Sequence, residues 1–391
     1  MLHTVKELTG DRIAATDGEM GAKENFRKSR GVVVTHSAAS ASEHERATHR
    51  TIARMLAGLK GFEFGGDYDA AAHYGGPLYF VPSDTLLERA ARALGIRSRD
   101  DLFGGVVPFP FVATKSIVHP LVAVDAQAPS GWSPEFAKRV RGAVLPGFAA
   151  FSLRDARCAG LRLLQQGPIR LKPGQAVGGH GQAVVADASQ LQARLEELDA
   201  AALERYGLSI ELNLTDVTTY SIGQVWVGRL EASYCGTQKL ALDNSCGAAY
   251  GGSDLLVARG DADALAALPL APEIRLAIGQ AQAFDAATEQ FGGMFASRRN
   301  YDAVRGRDRR GRWRTGILEQ SWRIGGASGP EVAALAALRA DPALRAVRAH
   351  STEMYGGAAA PPGAIVQFSG MDSRVGPLTK YTIVEPHASA G

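Results

Sequence analysis

Up to Arg30 the chain mixes charges with small residues and shows no apolar period, which predicts a loosely ordered arm over residues 1–30. From Gly31 the pattern sharpens. The run GVVVTH is short, apolar and β-branched, as a buried strand requires, and it ends in the small polar cluster SAASAS. EHERATHRTIARMLAGLKG then brings Ile52, Met55, Leu56 and Leu59 to one side at helical spacing, with Ser37 or Ser42 available as a cap and Gly61 where a helix stops. FEFGG and GPLYFVPSD read as a second and a third strand, and TLLERAARALGI as a further helix with Ser83 or Asp84 as its cap. Strands alternating with helices predict a parallel sheet covered on both faces, so residues 31–130 are expected to form an α/β domain with its linker.

That linker, from Asp101 to Trp132, is dense in proline, glycine and aromatics: VVPFPFVATK, HPLV and APSGW. Beyond it, SPEFAKRVRGAVLPGF and SLRDARCAGLRLLQQGP predict helix, loop and helix before the strand IRLK. A glycine-rich loop, the strand QAVVA and the helix SQLQARLEEL then complete a small lobe over 131–210. From Leu208 the apolar period drops to two, and SIELNL, TTYSIGQVWVG and EASYCGTQKL predict consecutive antiparallel strands. A helix from Pro272 to about Phe291, a hairpin of NYDAVRG and RTGILEQSW, and the helix PEVAALAALRA close a large lobe over 211–340. Residues 341–391 carry one strand candidate, AIVQF, and are expected to be a C-terminal extension.

Composition narrows the class. With 391 residues, 46% of them hydrophobic, the chain can bury a sizeable core and is long enough for two or three lobes. Forty-three basic residues against forty acidic leave a formal charge of +3, which argues against a nucleic-acid surface. The cluster RGRDRRGRWR flanks a glycine-containing turn with a single aromatic and reads as a solvated hairpin tip. Cys158, Cys235 and Cys246 are odd in number and widely spaced, against both a disulfide framework and a four-ligand zinc site. No run of about 18 apolar residues is present and the start of the chain is polar, so the expectation is a cytoplasmic protein without a membrane partner.

Two stretches carry chemistry. In RLKPGQAVGGHGQAVV, Lys172 ends an apolar run and Gly178, Gly179 and Gly181 follow, with His180 among them. Glycine amides converge on phosphate oxygens because no side chain holds the anion away, and a lysine adds charge. A glycine-rich hairpin turn beside an exposed lysine would read the same, and neither the P-loop nor the dinucleotide fingerprint is present. In the second stretch, YDAVRGRDRRGRWRTGILEQSWRIGG, Asp302 and Glu319 lie on the two arms of one predicted hairpin, which brings the carboxylates side by side. Two hard oxygen ligands on adjacent strands suit Mg²⁺. Two solvent-facing acids are the plainer reading, but Glu319 follows GIL and precedes Trp322, and an acid so flanked needs a partner such as a metal or Arg323.

In this order the parts resemble the ATP-grasp superfamily, the fold of biotin carboxylase, glutathione synthetase and D-alanine–D-alanine ligase, over roughly residues 131–340. Lys172-Pro173 resembles the strand lysine, Gly178-Gly179-His180-Gly181 the glycine loop, and Glu211 in IELNL the interlobe acid bordering the adenine, with Leu214 in the same stretch as a further nucleotide contact. Asp302 resembles the first metal carboxylate, and Glu319-Gln320-Ser321-Trp322-Arg323 matches the motif Glu-x-Asn-x-Arg at its two charged positions. VPSDTL, PFPFVATK and YGGSDLL also resemble a proteobacterial branch of the superfamily.

The resemblance implies an α/β protein with α+β lobes, an ATP-grasp fold behind an N-terminal parallel α/β domain. It implies ATP and Mg²⁺ as cofactors, metal ligation by Asp302, Glu319 and Ser321, and catalytic roles for Lys172 and Arg323. A second phosphate lysine is expected, with Lys115 and Lys138 as its two candidates. Ser321 stands where the family has asparagine, and a serine hydroxyl is a shorter, weaker ligand. The implied activity is ligation of a small-molecule carboxylate to an amine through an acyl phosphate. The alternatives are an ATP-binding regulator without ligase turnover and a kinase that stops at phosphoryl transfer. His36 and Ser37, just past the first strand, are substrate-contact candidates, and a homodimer is one assembly such an enzyme would form.

Overall fold

The computed structural model describes residues 31–175 and 181–387. β1 (Val32–His36) is buried along all but its last position, as a strand flanked on both sides must be. It runs parallel to β2 (Glu63–Asp67) and β3 (Leu78–Pro82), between which it lies. The link to β2 is α1 (Glu43–Lys60). A capping box of Ser42 and Glu45 starts it, and Gly61, in the left-handed region at φ 66°, ends it. Ser42 is therefore the cap and Ser37 is not.

The helix expected after β3 is shorter than its apolar pattern. Leu86 and Leu87 form β4 (Leu86–Leu87), and α2 (Glu88–Ala93) starts from Leu87 with no side-chain cap from Ser83 or Asp84. A partner strand is the reason: β4 pairs with β5 (Gly105–Val107), which in turn pairs with a distant strand, Phe295–Ala296. The segment read as a linker thus contributes a strand of its own.

The small lobe is a four-stranded sheet in the order β6-β9-β7-β8. It comprises β6 (Gly147–Ala150), β7 (Ile169–Pro173), β8 (Ala183–Val185) and β9 (Leu208–Leu212). After α3 (Pro134–Arg139), the helices α4 (Leu153–Leu164), α5 (Ala188–Glu196) and α6 (Ala200–Tyr206) accompany it. Ala156, Leu163, Leu191 and Leu195 of α4 and α5 pack on Ile169 and Ile210. β6 was expected as loop, and β9 as a strand of the next sheet. Instead β9 lies between β6 and β7 with every position buried, and β6 supplies the ladder it needs on its other side.

The large sheet has eight antiparallel strands in the order β15-β14-β10-β11-β12-β16-β18-β17. From the first part of the lobe come β10 (Thr215–Val227), β11 (Leu230–Leu242) and β12 (Ala248–Arg259). With the short β13 (Phe295–Ala296) named above, β14 (Arg298–Arg307) and β15 (Trp313–Ser321) follow. The expected C-terminal extension is not a tail: β16 (Ala346–Tyr355), β17 (Ile365–Asp372) and β18 (Gly376–Pro386) complete the sheet beyond β12. After α7 (Ala262–Ala266), Ala277, Ile278, Ala281 and Phe284 of α8 (Pro272–Ala287) cover one face, against Tyr220, Ile222, Tyr301 and Ile317. On the other face Val332 and Leu335 of α9 (Ser328–Ala340), with Ile52 and Leu56 of α1, pack on Val225, Tyr234 and Val257. Alternating side chains divide each strand between the two cores. Among the described residues no helix is long and apolar enough to cross a membrane, and all three cysteines are free.

Candidate active site

The β14–β15 ladder sets Asp302 directly opposite Glu319 and Asn300 directly opposite Ser321. These four side chains share one face, because residues two apart on a strand point the same way. β10 flanks β14 on its other side, where Ser221 donates to Asp302 Oδ1 at 3.2 Å and receives a hydrogen bond from Gln238 of β11 at 3.0 Å. The Asn300 amide lies 2.9 Å from the same Asp302 oxygen. Burial and the neighbouring Glu319 push the Asp302 carboxyl up to about 6, against the pull of Gln238 and Lys115.

A strap of two 3-10 turns, Pro110–Ala113 and Lys115–Val118, lies along β15. It is tied down by Gln320, whose amide donates to the carbonyls of Val112 at 2.9 Å and Thr114 at 2.7 Å. This anchoring delivers Lys115, buried to 7% exposure, to an ion pair with Glu319. Lys138 is elsewhere, largely exposed on α3 and 3.6 Å from Glu135. Of the two lysine candidates, only Lys115 meets the carboxylates.

Four residues along the strap, His119 enters the small lobe. Its Nε2 lies 3.2 Å from Glu211 Oε2, while Lys172 Nζ is 2.5 Å from Glu211 Oε1. All three side chains are buried. Burial alone would raise the Glu211 carboxyl, but Lys172 and His119 outweigh it and hold the group below its ordinary value. The imidazole fits because β6 has a glycine beneath it: a Cβ on Gly147 would come within 2.7 Å of the ring. One strap therefore touches both halves of the site, Glu319 through Lys115 and the Lys172–Glu211 pair through His119.

The other expected residues are distributed around this centre. Leu214 is buried with Leu145 and Val304, where the small sheet passes into the large one. Gly181 is exposed at φ 71°, left-handed as a tight turn requires. Gly178, Gly179 and His180 lie outside the described residues. Arg323, just past β15, donates to the carbonyl of Ile324 at 3.0 Å and makes no ion pair among the described residues. Toward the end of α1 that precedes its apolar face stand His44, Glu45, Thr48 and His49, beside the Lys380–Glu353 pair of 2.8 Å on β18 and β16. Burial, with Lys380 and Arg323 nearby, pushes the His49 imidazole down to about 4 despite the opposing charge of Glu45. His36 packs on Tyr68 with ring planes tilted by 48° and centres 6.0 Å apart, and Ser37 Oγ is buried without a partner among the described residues.

Sequence reasoning missed His119, Ser221, Gln238 and Asn300. The one available signal was His119 in the quoted HPLV, four residues after Lys115. Nothing in the spacing of the other three marks them, since their contacts are made across strands.

Among solved structures, the chain resembles the biotin carboxylase domain of 2-oxoglutarate carboxylase from Hydrogenobacter thermophilus, determined with MgADP, ADP and bicarbonate. The identity is 12%, with 91% of this chain and 86% of that one covered and a TM-score of 0.54. Phosphoribosylamine–glycine ligase from Thermotoga maritima aligns at 12% identity over 92% of this chain and 93% of that one, with a TM-score of 0.49. Biotin carboxylase from Campylobacter jejuni aligns at 11% over 91% and 87%, with a TM-score of 0.47. At 12% identity the first of these likenesses speaks to the fold alone, which is the ATP-grasp fold behind an N-terminal parallel α/β unit. No curated protein sequence matches the chain. A family model described as a protein of unknown function, DUF3182, matches residues 32–382, and the chain belongs to that family.

Proposed function

We propose that the protein is an ATP-dependent, Mg²⁺-requiring ligase that activates a small-molecule carboxylate as an acyl phosphate and passes the acyl group to an amine. The observation that carries this reading is the strap: it brings Lys115 to the opposed pair Asp302 and Glu319, and His119 to the buried Lys172–Glu211 pair. Cations and hard oxygen donors, far apart along the chain, thus border one region between the two sheets. That juxtaposition matches what a metal-bearing triphosphate requires.

The donor set fits Mg²⁺: two carboxylates on paired strands, a hydroxyl at Ser321 and no thiolate or imidazole among them. When bound, the ion would neutralise phosphate oxygens and favour departure of the nucleoside diphosphate. Asp302 and Glu319 would hold it. Lys115 would exchange Glu319 for a phosphate oxygen once the carboxylate is taken by the cation. Lys172 would face the nucleotide with its position set by Glu211 and His119, so that little ordering is needed on binding. In the first half-reaction the bond from the β,γ-bridging oxygen to the γ-phosphorus breaks and a substrate carboxylate oxygen bonds to that phosphorus, releasing ADP. In the second the amine attacks the acyl carbon, inorganic phosphate leaves, and the amine proton passes to solvent. Arg323, a cation with no carboxylate partner among the described residues, would hold the anionic acyl phosphate. The polar end of α1 with Lys380 and Glu353 would form the substrate side.

The test is ATP affinity and ADP release, with and without Mg²⁺, for the parent and for Lys172→Ala and Glu319→Ala. Lys172→Ala should weaken nucleotide binding, whereas Glu319→Ala should abolish turnover and leave much of the affinity. Unaltered behaviour in both variants discards the assignment.

A further inference from the structure

Behind Asp302 lies a buried chain of polar groups. Arg298, 1% exposed, grips Glu331 of α9, 0% exposed, through two contacts of 2.7 Å, one to each carboxylate oxygen. The Tyr234 hydroxyl lies 2.5 Å from Glu331 Oε1 and 2.8 Å from the side-chain amide of Asn300. It reaches both because Gly223 on the intervening strand has no side chain; a Cβ there would come within 2.4 Å of the phenol. The far side of the Asn300 amide is 2.9 Å from Asp302 Oδ1.

Counting protons fixes which way this amide faces. Arg298 uses both oxygens of Glu331 as acceptors, so the carboxylate takes its third hydrogen bond from Tyr234. A phenol is un-ionised at neutral pH, so Tyr234 keeps its single proton. With that proton committed to Glu331, the phenolic oxygen toward Asn300 is only an acceptor, and Asn300 must offer it the amide NH₂. The oxygen and nitrogen of an asparagine occupy interchangeable positions. The amide oxygen then faces Asp302, and two acceptors stand 2.9 Å apart. Ser221 already donates to that Asp302 oxygen and leaves the Asn300 oxygen unserved. Two oxygens so placed need a proton or a cation between them.

We propose that Asn300 presents its amide oxygen beside Asp302 and thereby completes the oxygen set for a hard divalent cation, compensating from across the ladder for the short side chain of Ser321. This rests on the metal-site reading above and assigns within it a residue on β14 rather than β15. Ser321 sits directly opposite Asn300, so an amide lost from one strand is regained from its neighbour on the same face.

The probe is Mn²⁺, titrated by electron paramagnetic resonance against the full chain in saturating ADP, for the parent, Asn300→Ala, Asn300→Asp and Glu319→Ala. ADP affinity without metal monitors the integrity of the fold. The expected result is that Asn300→Ala raises the Mn²⁺ dissociation constant about tenfold, the size of one lost oxygen ligand's contribution of roughly 1.4 kcal/mol. Asn300→Asp should bind Mn²⁺ at least as tightly as the parent, because a carboxylate replaces the amide oxygen. If the amide instead donates to Asp302, the aspartate opposes it, and Mn²⁺ binding in Asn300→Asp falls as far as in Asn300→Ala; that result overturns the proposal. So does unchanged Mn²⁺ affinity in Asn300→Ala. Where Glu319→Ala also leaves Mn²⁺ binding unchanged, or the parent binds none, the metal site itself is refuted rather than the role of Asn300 alone.

Discussion

Glu211 offers the most quantitative test of how the small lobe is organised. Replacing it by Gln keeps the shape and an oxygen for His119 but leaves the Lys172 ammonium buried without its counter-charge. The contact is 2.5 Å long with side chains 4% and 2% exposed, so solvent screens it little. Two unit charges about 4 Å apart interact by about 4 kcal/mol at an effective dielectric near 20, and breaking a buried pair from one side costs about 3–5 kcal/mol. Glu211→Gln and Lys172→Met are each expected to lose that much. The double variant removes both charges and should fall short of the summed losses by about 2–3 kcal/mol. Urea unfolding with hydrogen exchange of the β7 and β9 amides measures the cycle. Strictly additive losses, or a Glu211→Gln cost under about 1 kcal/mol, would refute the reasoning. The pH dependence has a definite sign. Because the folded Glu211 carboxyl lies below its ordinary value of 4.5, its contribution is present at neutral pH and fades as the pH drops through the folded value. The parent's margin over Glu211→Gln should therefore shrink in acid.

Asp302 behaves oppositely. Its carboxyl is raised to about 6, so without metal the parent loses stability as the pH rises from about 4 to 6. Asp302→Asn should abolish that loss, a difference of about 1–2 kcal/mol after allowance for partial exposure, read from urea midpoints at pH 4.5 and 7.5. Lys115→Ala should weaken ATP binding at least about tenfold by isothermal titration, as loss of one charge-assisted contact does, and Lys138→Ala should leave it unchanged. Equal effects of the two would remove Lys115 from the site. Gly147→Ala drives a methyl to within 2.7 Å of the His119 ring and should cost about 1–3 kcal/mol. The His119 imidazole resonances should shift as the contact with Glu211 loosens; unchanged resonances would contradict the packing.

The parts of the site that were legible in the sequence are those set by local order. Asp302 and Glu319 lie on the two arms of one hairpin, which local order shows, whereas a one-residue shift in register between Ala303 and Asp302 sets them directly opposite; the tip at Asp308 is held by its own arginines, with Arg312 and Arg314 both bound to that carboxylate. What was illegible depends on strands meeting at long range. β12 escaped notice because Gly251-Gly252 reads as a turn. In the fold it is a bulge, where a Cβ on Gly252 would come within 2.1 Å of the Ser351 carbonyl. β16 escaped because His350, Glu353 and neighbouring polar residues blur the alternation, and Glu353 faces the charged end of α1 rather than an apolar core. Lys115 was distinguishable from Lys138 only once Gln320 fastened the strap, which no spacing rule encodes.

The placement of β17 and β18 has a consequence for how the chain reaches its native state. α1 packs against β17, and the amide of His44 donates to Asp372 across a sequence separation of 328. Arg339 also clasps the carbonyls at the C-terminal end of α1. Helix α1 therefore cannot complete its contacts until strands made more than three hundred residues later have been synthesised. Such closure entropy is met late and slows assembly. Until the large sheet and α9 are made, the side of Ile52 and Leu56 that meets Val225, Tyr234 and Val257 stays exposed, so a nascent chain stalled before β10 should be a chaperone client, while the released chain should not.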